Sequence, residues 1–444
     1  MQAGSDIADG DEYADSLLTA VAAGNLTVGE VQQRLYYTML IRMRLGLFDP
    51  PAGQAYLSYG VADVGAPSTR AAALLAAKES LVLLQNSRKT LPFVGASAAP
   101  VVVVGFAANS TQALISNYVS QVCPAGGALC FRSIATAINA LGATVTVAPG
   151  CSNAKTCPPA LVSAAVAAVQ VPGVRVVLVL GLDQSLEREQ LDRQNLTLPE
   201  DQEAMAESVL AAAGAAGNAV AIVLVHGGAL SIPSIIANGA SILDAFYPGP
   251  FGGDAIAATL WGEYNPGGKL PYSVYDTYAP DMVDMRVAAV GRTYRYSHVP
   301  GAPQAVFPFG FGLSYTTFAL SYDGGAPPSN LTLTPADPTA SVVLRLDNTG
   351  SQDGDEVLQA YFVPIRVDAP EPPFLPRRQL FAFSRVHIPK GGSVSVKVDV
   401  PSSQMKLTLA DGTREPIDGE YLIVFSRGEG VGPELALGCT IKGF

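Results

Sequence analysis

The sequence predicts an α/β sandwich with a mostly parallel sheet, followed by a C-terminal β-sandwich. The first observation is that apolar runs of strand length alternate with helical segments between residues 61 and 265. The second is that short strands and Asp-Gly turns replace helices after residue 336. Alternation of strand and helix indicates a parallel sheet covered by helices, whereas strands with tight turns indicate a sandwich. The length of 444 residues suits a chain of several domains.

Residues 1 to about 50 are predicted to be mostly helical, and a linker follows to residue 60. Thr27 and Glu30 have the spacing of a capping box that opens a helix. Gly46, with Pro50 and Pro51 beyond it, ends that helix. Because one short amphipathic helix cannot bury its own apolar face, this segment needs a partner surface, either elsewhere in the chain or outside it.

Residues 61–265 contain the elements of the predicted α/β domain. Ser68 caps a helix that is predicted to run through Leu84, and a second capping box, Thr197 to Glu200, opens a helix that reaches about Ala213. The other predicted strands are 101–104, 144–147, 176–181, 221–225 and 241–243, and the other predicted helices are 134–141, 159–169 and 253–262, the last of which is expected to bury Trp261.

Residues 266–335 are rich in Pro, Gly and Tyr and have weak periodicity, so they are predicted to form an irregular connector. Residues 336–444 are predicted to form the β-sandwich. The segment 393–398 alternates strictly between polar and apolar residues, and Asp411-Gly412 and Asp418-Gly419 mark tight turns.

Composition excludes several classes of function. The formal net charge of −11 leaves no basic field that could bind a nucleic acid backbone. No run of about 18 apolar residues is present, so no membrane-spanning helix is expected. The first residues lack the basic and apolar regions of a signal peptide. With 49% hydrophobic and 15% charged residues, the chain can bury a sizeable core.

Cysteine spacing and glycosylation patterns favour an oxidising, secretory environment. Two local disulfides and one free thiol are predicted, although five buried thiols are the alternative. No Cys-x-x-Cys is present and the three histidines are scattered, so neither a metal nor another cofactor is expected. The close cysteine pairs are Cys123 with Cys130 and Cys151 with Cys157, Cys439 stands alone, and the Asn-x-Ser/Thr acceptors are Asn25, Asn109, Asn195 and Asn330.

The charged segment 183–193 is the main candidate for a catalytic site. It follows the predicted strand that ends at Gly181, and loops at the carboxyl ends of parallel strands line binding crevices. Carboxylates beside arginines can acquire different pKa values, as acid–base catalysis requires. A solvated loop leading to the next helix is the alternative. The charged residues of this segment are Asp183, Glu187, Arg188, Glu189, Asp192 and Arg193.

Two glycine-containing motifs are interpreted as structural. His226-Gly227-Gly228 resembles part of a hydrolase oxyanion loop, but no Gly-x-Ser-x-Gly accompanies it, so a strand-ending turn is the better interpretation. The segment 307–312 lacks the strand-to-helix context of a phosphate loop, and its aromatic residues are expected to pack a domain junction.

Several ordered motifs resemble glycoside hydrolase family 3, in its plant-type β-xylosidase/α-arabinofuranosidase branch. Residues 1–49 resemble the end of that family's (β/α)8 barrel, and residues 79–92 resemble the start of its α/β sandwich domain. Residues 181–193 resemble its acid/base loop. The final strands resemble its fibronectin type III-like domain, and the cysteine pairs resemble that branch's disulfides. The connector motifs are Asn265-Pro266-Gly267-Gly268-Lys269-Leu270-Pro271, Gly291-Arg292-Thr293-Tyr294-Arg295-Tyr296 and 307–315.

The resemblance implies retaining hydrolysis by two carboxyl groups from different domains. A barrel aspartate attacks the anomeric carbon, and a glutamate of the sandwich domain first protonates the leaving oxygen and then activates water. The motif assigns this acid/base to Glu187, with Glu189 as the second candidate. Asp183, Arg188, Asp192 and Arg193 are expected to support it.

The resemblance also implies that the nucleophile lies upstream of the position that matches Ala3. The chain is therefore expected to need an N-terminal barrel segment or chain, and to be inactive on glycosides alone. The expected substrate is a cell-wall oligosaccharide and the expected location is extracellular. The sugar (xylose, arabinose or glucose) is left open, and a non-catalytic carbohydrate-binding or scaffold protein is the alternative.

Overall fold

A computed structural model describes residues 1–60, 63–94, 100–118, 131–193, 195–276, 292–297, 304–369, 375–409 and 411–444. The chain divides into two compact units, Met1–Arg70 and Ala71–Phe444. The second unit contains the sheet, the connector and the β-sandwich of the sequence analysis.

The first unit contains helices α1 (Glu12–Ala22) and α2 (Val28–Arg44) and a 3-10 turn at Ala55–Ser58. The predicted capping box forms, because Thr27 Oγ1 accepts from the Glu30 N–H and the Glu30 carboxylate accepts from the Thr27 N–H. No residue of α1 or α2 is buried. The apolar side chains that the sequence places on these helices are therefore exposed or only partly buried.

The second unit begins with a six-stranded sheet. Its strands are β1 (Val82–Gln85), β2 (Val101–Val104), β3 (Val145–Ala148), β4 (Arg175–Gly181), β5 (Ala219–Val225) and β6 (Ser241–Asp244). Their order is β1-β6-β5-β4-β2-β3, with β1 antiparallel to β6 and all other neighbours parallel. The sheet is mostly parallel, as the sequence predicts.

Both faces of the sheet are covered by helices. These are α3 (Pro67–Ser80), α4 (Ile134–Ala140), α5 (Pro159–Val169), α6 (Glu200–Ala215), α7 (Pro233–Asn238) and α8 (Gly252–Leu260). Val176, Leu178 and Leu180 of β4 pack into a cluster with residues of α5, α6 and α7. Val177 and Val179 of the same strand pack into a second cluster with residues of α4 and α8. Alternate residues of a strand point to opposite faces, so β4 is apolar from Val176 to Leu180.

Two predicted element boundaries are wrong. The helix predicted through Leu84 ends at Ser80, and residues 82–85 form the edge strand β1. A short apolar run suits a buried strand and a helix equally well, so periodicity alone could not decide. The capping box at Thr197 is absent, and α6 begins after Pro199. Proline disfavours the helical conformation in the residue before it, which excludes Leu198 from the helix.

The connector contains three short elements, β7 (Val274–Tyr275), α9 (Thr293–Tyr296) and β8 (Ala305–Phe307). Phe309 stacks on Tyr294 with ring centroids 3.9 Å apart and makes a T-shaped contact with Tyr361 of the sandwich. This packing agrees with the junction role expected for residues 307–312. The connector is predicted to end at residue 335, but the strands Phe318–Tyr322 and Leu331–Leu333 already pair with strands of the sandwich.

The C-terminal part is a sandwich of a five-stranded and a three-stranded sheet that share one apolar core. Among the described strands of the sandwich, β10 and β18 pair in parallel and the other pairs are antiparallel. The likeness to a fibronectin type III domain stays a prediction. The strands are β9 (Phe318–Tyr322), β10 (Leu331–Leu333), β11 (Thr339–Asn348), β12 (Gly354–Val367), β13 (Gln379–Ile388), β14 (Ser393–Pro401), β17 (Gly419–Ser426) and β18 (Leu435–Ile441), with a small ribbon of β15 (Leu407–Thr408) and β16 (Arg414–Glu415).

A buried group of charges joins the connector to the sandwich. The Glu356 carboxylate of β12 lies 2.9 Å from Lys269 Nζ and 3.1 Å from Arg427 Nη1. Lys269 Nζ also donates to the Gly312 carbonyl at 2.9 Å. Burial lowers the pKa of Lys269, and the Glu356 carboxylate opposes that effect.

Cys151 and Cys157 form the predicted disulfide, and Cys439 is a buried free thiol. Cys123 and Cys130 lie outside the described residues. The four predicted acceptor asparagines, Asn25, Asn109, Asn195 and Asn330, are all exposed.

Within the described ranges, no helix is long and apolar enough to cross a bilayer. In the same residues, no cluster of three or more His, Cys, Asp and Glu side chains could hold a metal ion.

Candidate active site

The candidate loop 182–193 starts from a strand end that is held rigidly. A Cβ atom on Gly181, the last residue of β4, would lie 1.9 Å from the Val225 carbonyl oxygen, so only glycine fits there. The buried Gln202 side chain accepts from the Gly181 N–H at 2.6 Å and donates to the Gly181 carbonyl at 3.0 Å. These contacts fix where the loop leaves the sheet.

Glu187 lies within the loop and points inward, with 15% of its side chain exposed. Its Oε1 accepts from the Gly227 N–H at 2.6 Å and from the Tyr247 hydroxyl at 2.9 Å. Its Oε2 accepts from the Gly228 N–H at 3.0 Å and lies 3.5 Å from Arg193 Nε. Donors on both oxygens, one of them cationic, suit an ionised carboxylate.

Tyr247 remains a hydrogen-bond donor in this setting. Burial, together with the negative charge of Glu187, raises the pKa of the Tyr247 hydroxyl far above its ordinary value. A neutral phenol donates its proton to the neighbouring carboxylate. Tyr247 therefore contributes a fixed donor to Glu187.

His226 holds the turn that supplies the two amide donors. Its Nδ1 lies 2.8 Å from the Gly228 carbonyl oxygen and its Nε2 lies 3.0 Å from Asp244 Oδ1, with 2% of each side chain exposed. Both ring nitrogens have an acceptor within 3.0 Å, which favours the imidazolium form, although the contact of Nε2 with Asp244 lacks hydrogen-bond geometry. Burial alone would lower the pKa of His226, but the Asp244 carboxylate and the Gly228 carbonyl outweigh it and raise the pKa.

Glu189 lies at the exposed tip of the loop. Arg188 and Leu191 exchange backbone hydrogen bonds of 3.1 and 2.9 Å, which leaves Glu189 and Gln190 in a two-residue turn. Gln190 adopts a φ of +65°, and Glu189 is exposed. A hydrogen bond to the Glu189 carboxylate, together with burial, raises the pKa of the Tyr118 hydroxyl.

The remaining charged residues of the loop stabilise its path. Asp183 Oδ1 accepts from the Ser185 N–H at 2.9 Å and from its hydroxyl at 2.6 Å, which forms a turn at the start of the loop. Arg188 Nη1 donates to the Gln184 carbonyl at 2.8 Å. Arg193 donates to the Ala229 carbonyl as well as contacting Glu187. Asp192 is exposed.

The structure thus brings Glu187 and Arg193 together and leaves Glu189 apart from them. Sequence spacing alone could not distinguish Glu187 from Glu189. From the sequence alone, His226-Gly227-Gly228 is interpreted as a strand-ending turn, and Asp244 and Tyr247 are not recognisable as site residues. The order of the strands could have identified these residues. β4, β5 and β6 are parallel neighbours, and His226, Asp244 and Tyr247 lie at or just beyond the carboxyl ends of β5 and β6.

Known proteins match this chain over most of its length. Beta-D-xylosidase 1 of Arabidopsis thaliana is 33% identical over 90% of the chain and 54% of its own length. A probable exo-1,4-beta-xylosidase, bxlB, of Aspergillus clavatus is 31% identical over 97% of the chain and 55% of its own length. The chain therefore spans about half the length of these curated relatives.

Comparison with solved structures gives the same fold. The family 3 exo-beta-xylosidase XlnD, solved with a xylobiose aziridine probe, superposes over 100% of this chain and 57% of its own with a TM-score of 0.82 and 23% identity. The family model of the glycosyl hydrolase family 3 C-terminal domain matches residues 81–315, which is more than half of the chain. The chain belongs to glycoside hydrolase family 3, of which it contains the C-terminal domain.

Proposed function

We propose that this chain is the acid/base-bearing part of a retaining, exo-acting β-glycosidase of the β-xylosidase type. The observation that carries the proposal is the loop 182–193, which presents two glutamates at the carboxyl edge of the sheet and is anchored on the turn 226–228. The relatives are named xylosidases, which favours a xylose-containing oligosaccharide as substrate.

The contacts favour Glu189 over Glu187 as the group that transfers the proton, whereas the family motif favours Glu187. A general acid must carry a proton before it donates it. Glu187 accepts hydrogen bonds on both oxygens, so a proton there would displace a backbone N–H or the Tyr247 hydroxyl. Glu189 is exposed at the loop tip, where a sugar can reach it. In this assignment Glu187 is a positioning residue that anchors the loop.

The second carboxyl group of the mechanism is proposed to come from a barrel segment outside this chain. Retaining hydrolysis needs a nucleophilic carboxylate about 5–5.5 Å from the acid/base. Asp183 and Glu187 are committed to hydrogen bonds within the loop and its anchor. We therefore expect the 444-residue chain alone to leave xylobiose intact.

Fusion to a barrel tests this proposal. The N-terminal half of the Arabidopsis thaliana relative, joined before Met1, is expected to give a protein that hydrolyses xylobiose, with the β-anomer as first product by NMR. The unfused chain and the unfused barrel serve as controls. Hydrolysis by the unfused chain, or an inverted first product from the fusion, would contradict the proposal.

Substrates with different leaving groups distinguish the proposed roles of the two glutamates. In the fusion protein, Glu189→Gln is expected to lower kcat/KM on xylobiose by about 10²- to 10⁴-fold, because the leaving sugar needs a proton. The same variant should be affected far less on 4-nitrophenyl xyloside, whose leaving phenolate needs little protonation. Glu187→Gln should lower both rates by similar factors, because it loosens the loop. The reverse pattern would return the acid/base role to Glu187.

A non-catalytic carbohydrate-binding or scaffold protein is the alternative. The same fusion distinguishes it, because binding of xylo-oligosaccharides without any hydrolysis would favour that reading. Secretion is part of the main proposal, supported by the Cys151–Cys157 disulfide and by four exposed acceptor asparagines.

A further inference from the structure

A short segment closed by a disulfide lies beside the candidate loop. The bond between Cys151 and Cys157 closes residues 151–157 into what we call the cystine ring. The cystine ring follows β3, and the loop 182–193 follows β4. Both strands run parallel to β2, so their carboxyl ends lie at the same edge of the sheet. The cystine ring and the loop therefore leave the sheet side by side.

The cystine ring is ordered and anchored in the core. Within it, Asn153 Oδ1 accepts from the N–H groups of Lys155 at 2.8 Å and Thr156 at 3.0 Å. Both cysteines are buried and belong to the apolar cluster that contains residues of β4, α5 and α6. The position of the cystine ring is therefore fixed relative to the strand from which the loop starts.

The first turn of α6 connects the cystine ring to the start of the loop. The buried Gln202 side chain donates through Nε2 to the Ala154 carbonyl of the ring at 2.9 Å and to the Gly181 carbonyl at 3.0 Å. Its Oε1 accepts from the Gly181 N–H at 2.6 Å. The carboxylate of the preceding residue, Asp201, accepts from the Cys157 N–H at 3.3 Å. A shift of the cystine ring therefore acts on the same side chain that fixes Gly181.

The cystine ring also borders the loop across two cavities. Ser152 and Asn153 line a cavity of about 320 Å³ together with residues 183–185. Lys155 lines a second cavity, of about 570 Å³, together with residues 191–193. Both the beginning and the end of the loop thus lie next to the cystine ring.

The disulfide limits how far the cystine ring can move. Residues 151–157 contain no helix or strand, so regular secondary structure does not hold them in place. A cross-link removes conformations of the chain between its two ends. Without the cross-link, such a segment can open locally while the sheet stays folded. The Ala154 carbonyl then leaves Gln202, which loses one of its hydrogen bonds.

From these contacts we propose that the Cys151–Cys157 disulfide is a positioning element for the candidate acid/base loop, and that it acts through Gln202 on Gly181. The proposal rests on the proposed function only where it concerns catalysis. The order of the loop is a property of this chain and is measured without hydrolysis.

Hydrogen–deuterium exchange of the 444-residue chain tests the proposal. In the double variant Cys151→Ala/Cys157→Ala, the amides of residues 181–187 are expected to exchange about five- to tenfold faster, because the loss of one hydrogen bond has an effect of this size. Unchanged exchange in residues 181–187 would overturn the proposal.

Two control variants separate this effect from a general loss of stability. Val169→Ala removes buried volume from the same apolar cluster, at the end of α5 that is far from the cystine ring. Cys439→Ala removes the buried free thiol of the sandwich. Both should leave exchange in residues 181–187 unchanged. If either control accelerates it as much as the double variant does, the disulfide has only a general stabilising role and the proposal fails.

A measurement on the unmodified chain keeps the test valid if the double variant does not fold. Exchange at low urea concentration identifies segments that open as one unit. The amides of Cys157 and Gly181 are expected to share one urea dependence that differs from that of β5, because both donate to the first turn of α6. Separate urea dependences for the two amides, or one that is shared with β5, would contradict the proposal.

The catalytic part of the proposal is tested in the barrel fusion. There the double variant is expected to lower kcat on xylobiose, per folded molecule, about five- to tenfold, because a displaced catalytic group reacts more slowly. Val169→Ala should keep the kcat of the unmodified fusion. A normal kcat in the double variant would refute the positioning role. Faster exchange of the loop, with no hydrolysis by the unmodified fusion, would refute only the proposed glycosidase.

Discussion

At the scale of single residues, the site depends on a buried pair of opposite charges behind the loop. His226 bridges Asp244 and the Gly228 carbonyl, and the same turn donates two N–H groups to Glu187. The charge of Glu187 acts on His226 as well, and Glu187, Asp183 and Arg193 act on the neighbouring Tyr247. The protonation state of His226 therefore determines how firmly the turn is held.

This pair makes stability depend on pH. The pKa of His226 is raised in the folded protein, so its contribution is fully present below the unfolded histidine pKa of about 6.5 and is lost as pH rises through the folded value. We expect the free energy of unfolding to fall from pH 6 to pH 9 in urea titrations, and to fall less in His226→Gln.

His387 provides the matched control. Its Nδ1 also lies 2.8 Å from an aspartate, Asp355, but 62% of its side chain is exposed. His387→Gln is expected to keep the pH dependence of the unmodified chain. An unchanged pH slope in His226→Gln would contradict the imidazolium assignment.

At the scale of elements, the end of β4 is clamped by a side chain of α6. Gln202 is fully buried, exchanges two hydrogen bonds with Gly181, and donates to the Ala154 carbonyl at 2.9 Å. This clamp sets the exit of the loop that carries Glu187 and Glu189. The polar residue in an apolar helix face is thus explained by the backbone groups it satisfies.

Removing the clamp should destabilise the chain and loosen the loop. Gln202→Leu leaves three buried backbone groups without partners, which costs about 3 kcal/mol in the free energy of unfolding. Urea denaturation measures this loss, and faster amide exchange in residues 182–193 should accompany it. Gln170→Leu, an exposed control, should change stability by less than about 0.5 kcal/mol. Equal stability of the two variants would contradict the clamp.

At the scale of the whole molecule, the two compact units differ in what stabilises them. The unit Ala71–Phe444 contains three apolar clusters and the buried group of Lys269, Glu356 and Arg427. The unit Met1–Arg70 has no buried residue in either helix. Leu18, Met43 and Tyr56 each expose more than 60% of their surface. Contiguous exposed apolar surface is typical of interaction sites.

Limited proteolysis should therefore cut first in the N-terminal unit. Local opening is easiest where few apolar contacts are buried, so the earliest fragments are expected to begin within residues 1–60. Mass spectrometry of the fragments identifies the cuts. In the barrel fusion the same bonds should be protected. Early cleavage inside 131–193 with 1–60 intact would contradict this expectation.

The alternating elements and the location of the candidate loop could be predicted from the sequence because they depend on local pattern. Runs such as Val101–Val104 and the helix Pro159–Val169 are encoded by neighbouring residues. The strand conformation of residues 82–85 could not be predicted from the sequence. It depends on antiparallel pairing of β1 with β6, which lies more than 150 residues further along the chain. Likewise, the donors to Glu187 come from turns 40 and 60 residues further along the chain.

By itself, the sequence determined the α/β and all-β parts, the family resemblance and the loop that carries the two glutamates. Only the tertiary structure decided that Glu187 points inward to four donors while Glu189 stays at the exposed tip. The two residues have the same charge and differ by two positions, so no local pattern distinguishes them. Their proposed roles depend on which of them contacts the residues that follow β5 and β6. That contact exists only in the folded sheet.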